Sequence, residues 1–159
     1  MVKVAILTVS DSCSRGQRED VSGQSIKDIL GANKFEICAY KVVADERQRI
    51  RKELIYFADA AKADIVLTTG GTGLGPRDVT PEATTEVCEK MVPGLAEAIR
   101  LEGLKKTKNA ILCRAAAGVR GNTLIINLPG SPKGVKESLE IILDVLPHAK
   151  DMLQGRGHK

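Results

Sequence analysis

Aromatic side chains are almost missing from this chain: 159 residues contain no tryptophan, two tyrosines and two phenylalanines. Single-stranded nucleic acid is gripped by aromatic platforms set beside clustered cations. With a net charge of only +4 and no stacking set, nucleic acid is not an expected partner. The mild basic bias suits a small polyanion, or solubility alone. Histidine is as scarce, with His148 and His158 both near the C-terminus. Imidazole acid–base catalysis is therefore not expected, and a reaction would have to run on carboxylates, cations and backbone dipoles, as phosphoryl transfer does. No apolar run approaches the ~18 residues of a membrane helix, and Met1-Val2-Lys3 leads straight into a strand-like segment without a signal-peptide pattern. A cytoplasmic protein with no membrane partner is expected. Cys13, Cys38, Cys88 and Cys113 are scattered with no Cys-x-x-Cys pair, so free thiols are expected in place of disulfides or a zinc site. Repeats, low-complexity segments and interdomain linkers are absent too, and the length suits one domain with a substantial core.

What the chain does contain is concentrated between Ile65 and Thr84. The apolar run Ile65–Leu67, extended by Thr68 and Thr69, reads as a strand buried on both faces. Gly70, Gly71, Gly73 and Gly75 follow, a density that lets backbone approach a ligand and aim N–H groups at it. Thr80-Pro81-Glu82 then supplies an N-cap, a first-turn proline and a first-turn acid for a helix over Pro81–Lys90. Strand, glycine loop and helix start form a layout suited to phosphate; the plain alternative is a connector. Arg77 and Asp78 add a phosphate partner and a possible metal ligand. Neither standard phosphate motif is present. Gly75 is followed by Pro76-Arg77 where a P-loop needs Lys-Ser/Thr, and the glycine spacing does not match G-x-G-x-x-G.

Along the chain, Val2–Val9 reads as a first central strand. Ser10-Asp11-Ser12 stands where α/β folds place ligands, although a solvated loop accounts for it equally. A helix is expected from Ser22, with Ile26, Ile29 and Leu30 inward and Gly31 as its stop. Phe35–Val43 alternates as a second strand. Asp45 and Gln48 form a capping-box pattern for a helix to about Lys62. If the second and third strands are parallel neighbours, Asp45 and Asp78 emerge at one sheet edge and could share a divalent cation; the simpler role of Asp45 is a cap. A helix over Leu95–Leu104 points Leu95 and Ile99 inward, with Ala98 and Leu101 as further candidates for that face. Strands are expected at Ala110–Cys113 and Thr123–Leu128 with a hairpin turn near Arg120-Gly121-Asn122, and a helix spans Lys133–Leu146 up to Pro147. The Asn127–Pro132 turn is a second strand–Gly/Pro–helix junction, either a cleft wall or an ordinary short loop. The domain spans 1–154, with a flexible tail at 155–159.

Taken together, Thr69-Gly-Gly-Thr-Gly73, Pro76–Thr84, Arg114-Ala-Ala-Ala-Gly118 and Asn127-Leu-Pro-Gly-Ser-Pro132 resemble the molybdopterin adenylyltransferase family, which includes bacterial Mog proteins and gephyrin G domains. The resemblance runs from Val4 to about Lys150. It implies a three-layer α/β sandwich with a mostly parallel sheet and a small antiparallel ribbon, and commonly a homotrimer. It also implies transfer of AMP from Mg-ATP to molybdopterin with release of pyrophosphate, and a molybdate-insertion enzyme as downstream partner. Carried over residue by residue, Asp45 and Asp78 look like the catalytic acids that hold Mg2+. Thr69, Gly70, Gly71, Thr72 and Gly73 look like the phosphate pocket, with Arg77 beside it. Ser10 and Asp11 look like the nucleotide side, while Arg114, Asn127, Pro129, Gly130 and Ser131 look like cleft walls. Gly103 and Cys113 depart from a family pattern that often has serine beside the pterin. Two other readings remain on sequence grounds: a non-catalytic pterin-binding scaffold, and a flavodoxin-like FMN or nucleotide binder.

Overall fold

Aliphatic and β-branched runs make the strands of the computed structural model, which describes residues 1–157. Lys3–Val9 (β1), Glu36–Val43 (β2), Ile65–Thr69 (β3), Lys90–Met91 (β4), Ala117–Arg120 (β5) and Thr123–Leu128 (β6) form one sheet in the order β2-β1-β3-β6-β5-β4. The first four in that order run parallel; β5 pairs antiparallel with β6, and β4 antiparallel with β5. The helices are Asp11–Ser14 (α1), Val21–Ala32 (α2), Arg47–Asp59 (α3), Thr80–Val87 (α4), Pro93–Leu104 (α5), Pro132–Ile142 (α6) and Leu146–Leu153 (α7). This is the three-layer α/β architecture the motifs imply.

The period of two along each strand divides the core. Val4, Ile6, Ile65, Leu67, Leu124 and Ile126 face α2, α5, α6 and α7. Ala5, Leu7, Val66 and Ile125 face α3 and α4 through Ile50, Leu54, Phe57, Ala83 and Val87. Each fully buried aliphatic side chain contributes about 1.5–3 kcal/mol, so strand register is fixed from both sides. Away from the C-terminal sheet edge, Lys150 Nζ lies 3.0 Å from Asp64 Oδ2 and donates to the Met1 carbonyl at 3.0 Å. The same Asp64 oxygen accepts the Lys3 N–H at 2.8 Å, so the last helix is tied to the first strand.

Several local expectations give way to tertiary partners. Ala110–Cys113 is not a strand: Lys108–Leu112 is a 3-10 helix that leaves Ile111 63% and Leu112 50% exposed, and β5 is the strand that pairs with β6. Gly121 makes that hairpin turn with φ +55°. Asp45 caps nothing. The N-cap of α3 is Glu46, and Gln48 Oε1 accepts from Arg51 instead of closing a capping box. Thr80 opens α4 as a helical residue, with Val79 at the cap. Helix α2 begins at Val21 and is capped by Asp20, whose carboxylate accepts the Gly23 N–H at 2.9 Å; it runs past Gly31, and Lys34 adopts the positive φ of 62°. On α5 Ile99 and Ala96 are buried and Leu95 packs half-buried against the same core as expected, while Leu101 is 64% exposed. Helix α6 stops at Ile142, and after a 3-10 turn Pro147 sits in the first turn of α7. β2 and β3 are parallel but not neighbours, because β1 lies between them. Of the expected tail, residues 155 and 156 fold back onto α7 (Gly155 N to Met152 O 3.0 Å, Arg156 N to Asp151 O 2.8 Å); His158 and Lys159 lie outside the described residues.

Candidate active site

The strand order reverses direction beside β1: the chain moves from β1 to β2 on one side and then returns to β3 on the other. Ligands of open α/β sheets bind outside the carboxyl ends of the strands at such a switch point. Four loops meet there, following β1 at Ser10, β2 at Ala44, β3 at Gly70 and β6 at Pro129.

The loop after β3 is held in a shape only glycine permits. Gly70 has φ +99°, and a Cβ on it would stand 2.2 Å from the Val9 carbonyl oxygen. Gly71 has φ +69°, and its Cβ would stand 2.3 Å from Thr80 Oγ1. Thr80 uses that hydroxyl to donate to the Gly70 carbonyl at 2.9 Å, wholly buried, and its N–H reaches the Gly71 carbonyl at 3.2 Å. Thr69 donates to the Pro129 carbonyl at 2.7 Å, joining the two glycine-proline junctions. Arg114 staples the far side: Nε donates to the Gly73 carbonyl at 2.8 Å, one terminal nitrogen to the Asp78 carbonyl at 2.7 Å and the other to Glu82. The N–H groups of Gly71, Thr72 and Gly73 find no hydrogen-bond acceptor among the described residues. A short run of unpaired N–H groups is the physical basis of an anion cradle.

Three carboxylates border the cradle. Asp11 and Asp45 are clasped reciprocally, Asp45 Oδ2 accepting the Asp11 N–H at 2.8 Å and Asp11 Oδ1 accepting the Asp45 N–H at 3.0 Å. Arg77 closes a two-pronged bridge on Asp11, with both contacts at 2.8 Å, and this guanidinium pulls the Asp11 carboxyl down to about 2. Asp45 is shifted upward, first by burial and then by the negative charges of Asp11 and Asp78. Its free oxygen Oδ1 lies 3.3 Å from where a Gly71 Cβ would be. Asp78 Oδ2 accepts the Gly75 N–H at 2.9 Å and lies equally close to the Cβ positions of Gly73 and Gly75. The two aspartates singled out by sequence therefore flank one loop.

Two cavities adjoin the Pro129–Ser131 turn. One of about 360 Å³ is lined by Ser10, Asp20, Ser22, Gly70 and Gly130. Another of about 440 Å³ is lined by Gly103, Cys113, Pro129 and Lys133. Ser131 borders both.

Residues 5–148 match the family described as a probable molybdopterin binding domain. The chain belongs to the molybdopterin-binding family. A molybdopterin adenylyltransferase of Helicobacter pylori is 45% identical over 157 residues, 97% of this chain and 89% of that protein. The molybdenum cofactor synthesis protein cinnamon of Drosophila melanogaster is 43% identical over 96% of this chain and 26% of its own length. The crystal structure of the molybdopterin biosynthesis enzyme MoaB of Thermus thermophilus superposes with a TM-score of 0.92 at 54% identity, covering all of both chains.

Within this molybdopterin-binding domain the residues singled out by sequence fall into two sets. Ser10, Asp11, Asp45, Asp78, Arg77, Thr69 to Gly73 and the Pro129–Ser131 turn gather at the strand ends described above. Asn127 does not line the cleft. It is 1% exposed, its amide nitrogen donates to Thr68 (3.0 Å) and Thr84 (2.9 Å), and its oxygen accepts the Ala116 N–H at 3.1 Å. A fully engaged buried amide holds β3, β6 and α4 together and has nothing left to offer a ligand. All three nitrogens of the Arg114 guanidinium are likewise spent on the loop and Glu82. Sequence reasoning passed over Asp20, which lies in the 360 Å³ cavity and accepts from Thr8 (2.6 Å) and Tyr40 (2.5 Å) as well as capping α2. The Asp-x-x-Gly spacing ahead of α2 was the available signal. Thr80 and Glu82 read locally as helix-start residues, and nothing near them in the sequence signals their contacts across the loop.

A Mg2+ ion fits the chemistry of this donor set. No group of three or more His, Cys, Asp or Glu capable of holding a metal alone occurs among the described residues. Mg2+ commonly takes one or two carboxylates and completes its shell with substrate phosphates and water, and Asp45 with Asp78 can provide that pair. The upward shift of Asp45 beside two other acids is also what a cation would relieve.

Proposed function

We propose that this chain is a molybdopterin adenylyltransferase of molybdenum cofactor biosynthesis. It transfers AMP from Mg-ATP to the terminal phosphate of molybdopterin and releases pyrophosphate. The observation that carries the reading is the convergence of Asp45 and Asp78 on one loop with unpaired N–H groups, at the strand ends where two cavities open. The names borne by the Helicobacter and Thermus relatives point the same way.

A terminal phosphate oxygen of molybdopterin attacks the α-phosphorus of ATP. The new P–O bond forms as the bond from the α-phosphorus to the pyrophosphate oxygen breaks. The N–H groups of Gly71, Thr72 and Gly73 and the Thr72 hydroxyl hold phosphate oxygens in line. Ser10 and Asp11 face the nucleotide side, while Pro129, Gly130 and Ser131 form the wall between the two cavities. Asp45 and Asp78 would hold Mg2+, whose charge offsets the repulsion between two anions brought together and stabilises the departing pyrophosphate. Arg114 keeps Asp78 and Gly73 in place from behind. On the same reading the protein works in the cytoplasm as a homotrimer, whose contacts would cover exposed Leu101, Ile111 and Leu112, and passes its product to a molybdate-insertion enzyme.

The test is pyrophosphate release from ATP with Mg2+, with and without molybdopterin. Release is expected only when both molybdopterin and Mg2+ are supplied. Asp78→Asn should abolish release and leave folding and molybdopterin binding intact, because the side-chain oxygen can still accept from Gly75 N while the charge is lost. Molybdopterin binding without release under any divalent metal would instead identify a non-catalytic pterin carrier.

A further inference from the structure

A third cavity, of about 770 Å³, shares no lining residue with the two described above and is lined by α1, the end of β2, the first turns of α3 and Arg77. Its walls carry five cations, Arg15, Lys41, Arg49, Lys52 and Arg77, against three carboxylates, Asp11, Glu46 and Glu53. Each carboxylate is already answered: Asp11 by Arg77, Glu46 by Arg49 and Glu53 by Lys41, every contact at 2.8 Å. Arg15 and Lys52 make no ion pair among the described residues, and both are exposed. The groove therefore has a positive excess that its own acids do not neutralise.

Its position gives that excess a use. Arg77 belongs to the loop between Gly75 and Asp78 yet lines this groove, and its partner Asp11 is clasped to Asp45. An anion whose first phosphate sits at the cradle meets Arg77 next and can extend toward Arg15 and Lys52. The Arg77 side chain is 57% exposed, so its bridge to Asp11 is a weak, water-screened pair. A phosphate offers the same planar fork a stronger bidentate partner.

We propose that this groove binds the β- and γ-phosphates of the nucleotide substrate and, after transfer, the pyrophosphate product, with Arg15 and Lys52 as the uncommitted cations and Arg77 as the link to the cradle. The identity of the anion rests on the adenylyl-transfer reading, but binding can be measured without turnover, so the two stand or fall separately.

The experiment titrates the full-length protein calorimetrically with sodium pyrophosphate, and separately with AMP. It compares the wild type with Arg15→Ala/Lys52→Ala and with the charge-preserving Arg15→Lys/Lys52→Arg. The alanine pair should weaken pyrophosphate by about tenfold or more, as expected for losing charge-assisted phosphate contacts, and leave AMP affinity unchanged. The charge-preserving pair should recover most of the loss. In the turnover assay KM for ATP and the pyrophosphate inhibition constant should rise together in the alanine pair. Equal pyrophosphate affinity in wild type and alanine pair overturns the proposal, as does equal weakening of AMP, or wild-type protein that fails to bind pyrophosphate at millimolar concentration. Pyrophosphate binding that behaves as expected in a protein showing no adenylyl transfer keeps the groove and removes the proposed reaction. Because both side chains are exposed, thermal melts of the variants should match wild type.

Discussion

Replacing Gly71 with alanine puts a methyl group at φ +69°, 2.3 Å from Thr80 Oγ1 and 3.3 Å from Asp45 Oδ1. The left-handed backbone costs an alanine about 1–2 kcal/mol. Relieving the clash turns the Thr80 hydroxyl away from the Gly70 carbonyl, and losing that buried 2.9 Å bond costs about 1–3 kcal/mol. Gly71→Ala should therefore destabilise by about 2–5 kcal/mol. Thr80→Ala alone removes only the hydrogen bond, for about 1–3 kcal/mol. In the double variant the clashing hydroxyl is gone and the bond can be lost only once. The combined loss should fall short of the sum of the singles by about 1–3 kcal/mol, a coupling typical of residues in contact. Urea unfolding of the four proteins, followed by circular dichroism, closes the cycle. Additivity within about 0.5 kcal/mol would mean that Thr80 does not buttress Gly71 and that the loop owes its shape to something else.

Three further outcomes follow from the same contacts. Arg114→Met removes the donors to Gly73 and Asp78; it should lower kcat/KM for adenylyl transfer by about 10–100-fold through loss of loop order worth about 1.4–3 kcal/mol, and steady-state kinetics with a melt reads both. A fall in melting temperature without a fall in activity would make Arg114 a stability residue alone. Asn127→Leu strands the Thr68 and Thr84 hydroxyls and the Ala116 N–H in the core, and should cost about 2–4 kcal/mol in chemical denaturation; a neutral result would refute its role as a knot between strands. The Cys88 thiol is pushed up to about 11, chiefly by burial and then by Glu89. At pH 8 it is only ~0.1% thiolate, and iodoacetamide should label it far more slowly than glutathione in the same tube, as mass spectrometry of the tryptic peptide would report.

The parts of the fold visible in sequence are those fixed by burial on both faces. Val4 to Val9, Ile65 to Thr69 and Thr123 to Leu128 are continuous buried runs, and no competing structure suits them. Where a few apolar residues lack a partner strand, the same pattern misleads. Ala110–Cys113 reads as a strand, but its first three residues belong to the 3-10 helix and the place beside β6 is taken by β5. Polar residues were the harder case, since each has several partners within reach. Asp45 has a capping pattern three residues ahead of Gln48, yet its carboxylate prefers the Asp11 N–H, which no local rule could identify. Asn127 sits in a conspicuous turn motif, but its amide is claimed by two threonines distant in sequence. The glycine loop itself was legible because Gly70 and Gly71 combine a positive φ with neighbours that leave no room for a Cβ.

The bridge from Lys150 to Asp64 and the Met1 carbonyl brings the start of the first strand and the end of the last described helix to the same rim. That rim is separated from the cradle by the length of β1, about 20 Å. A load carried at that rim would pull on the floor of the domain and leave its mouth clear.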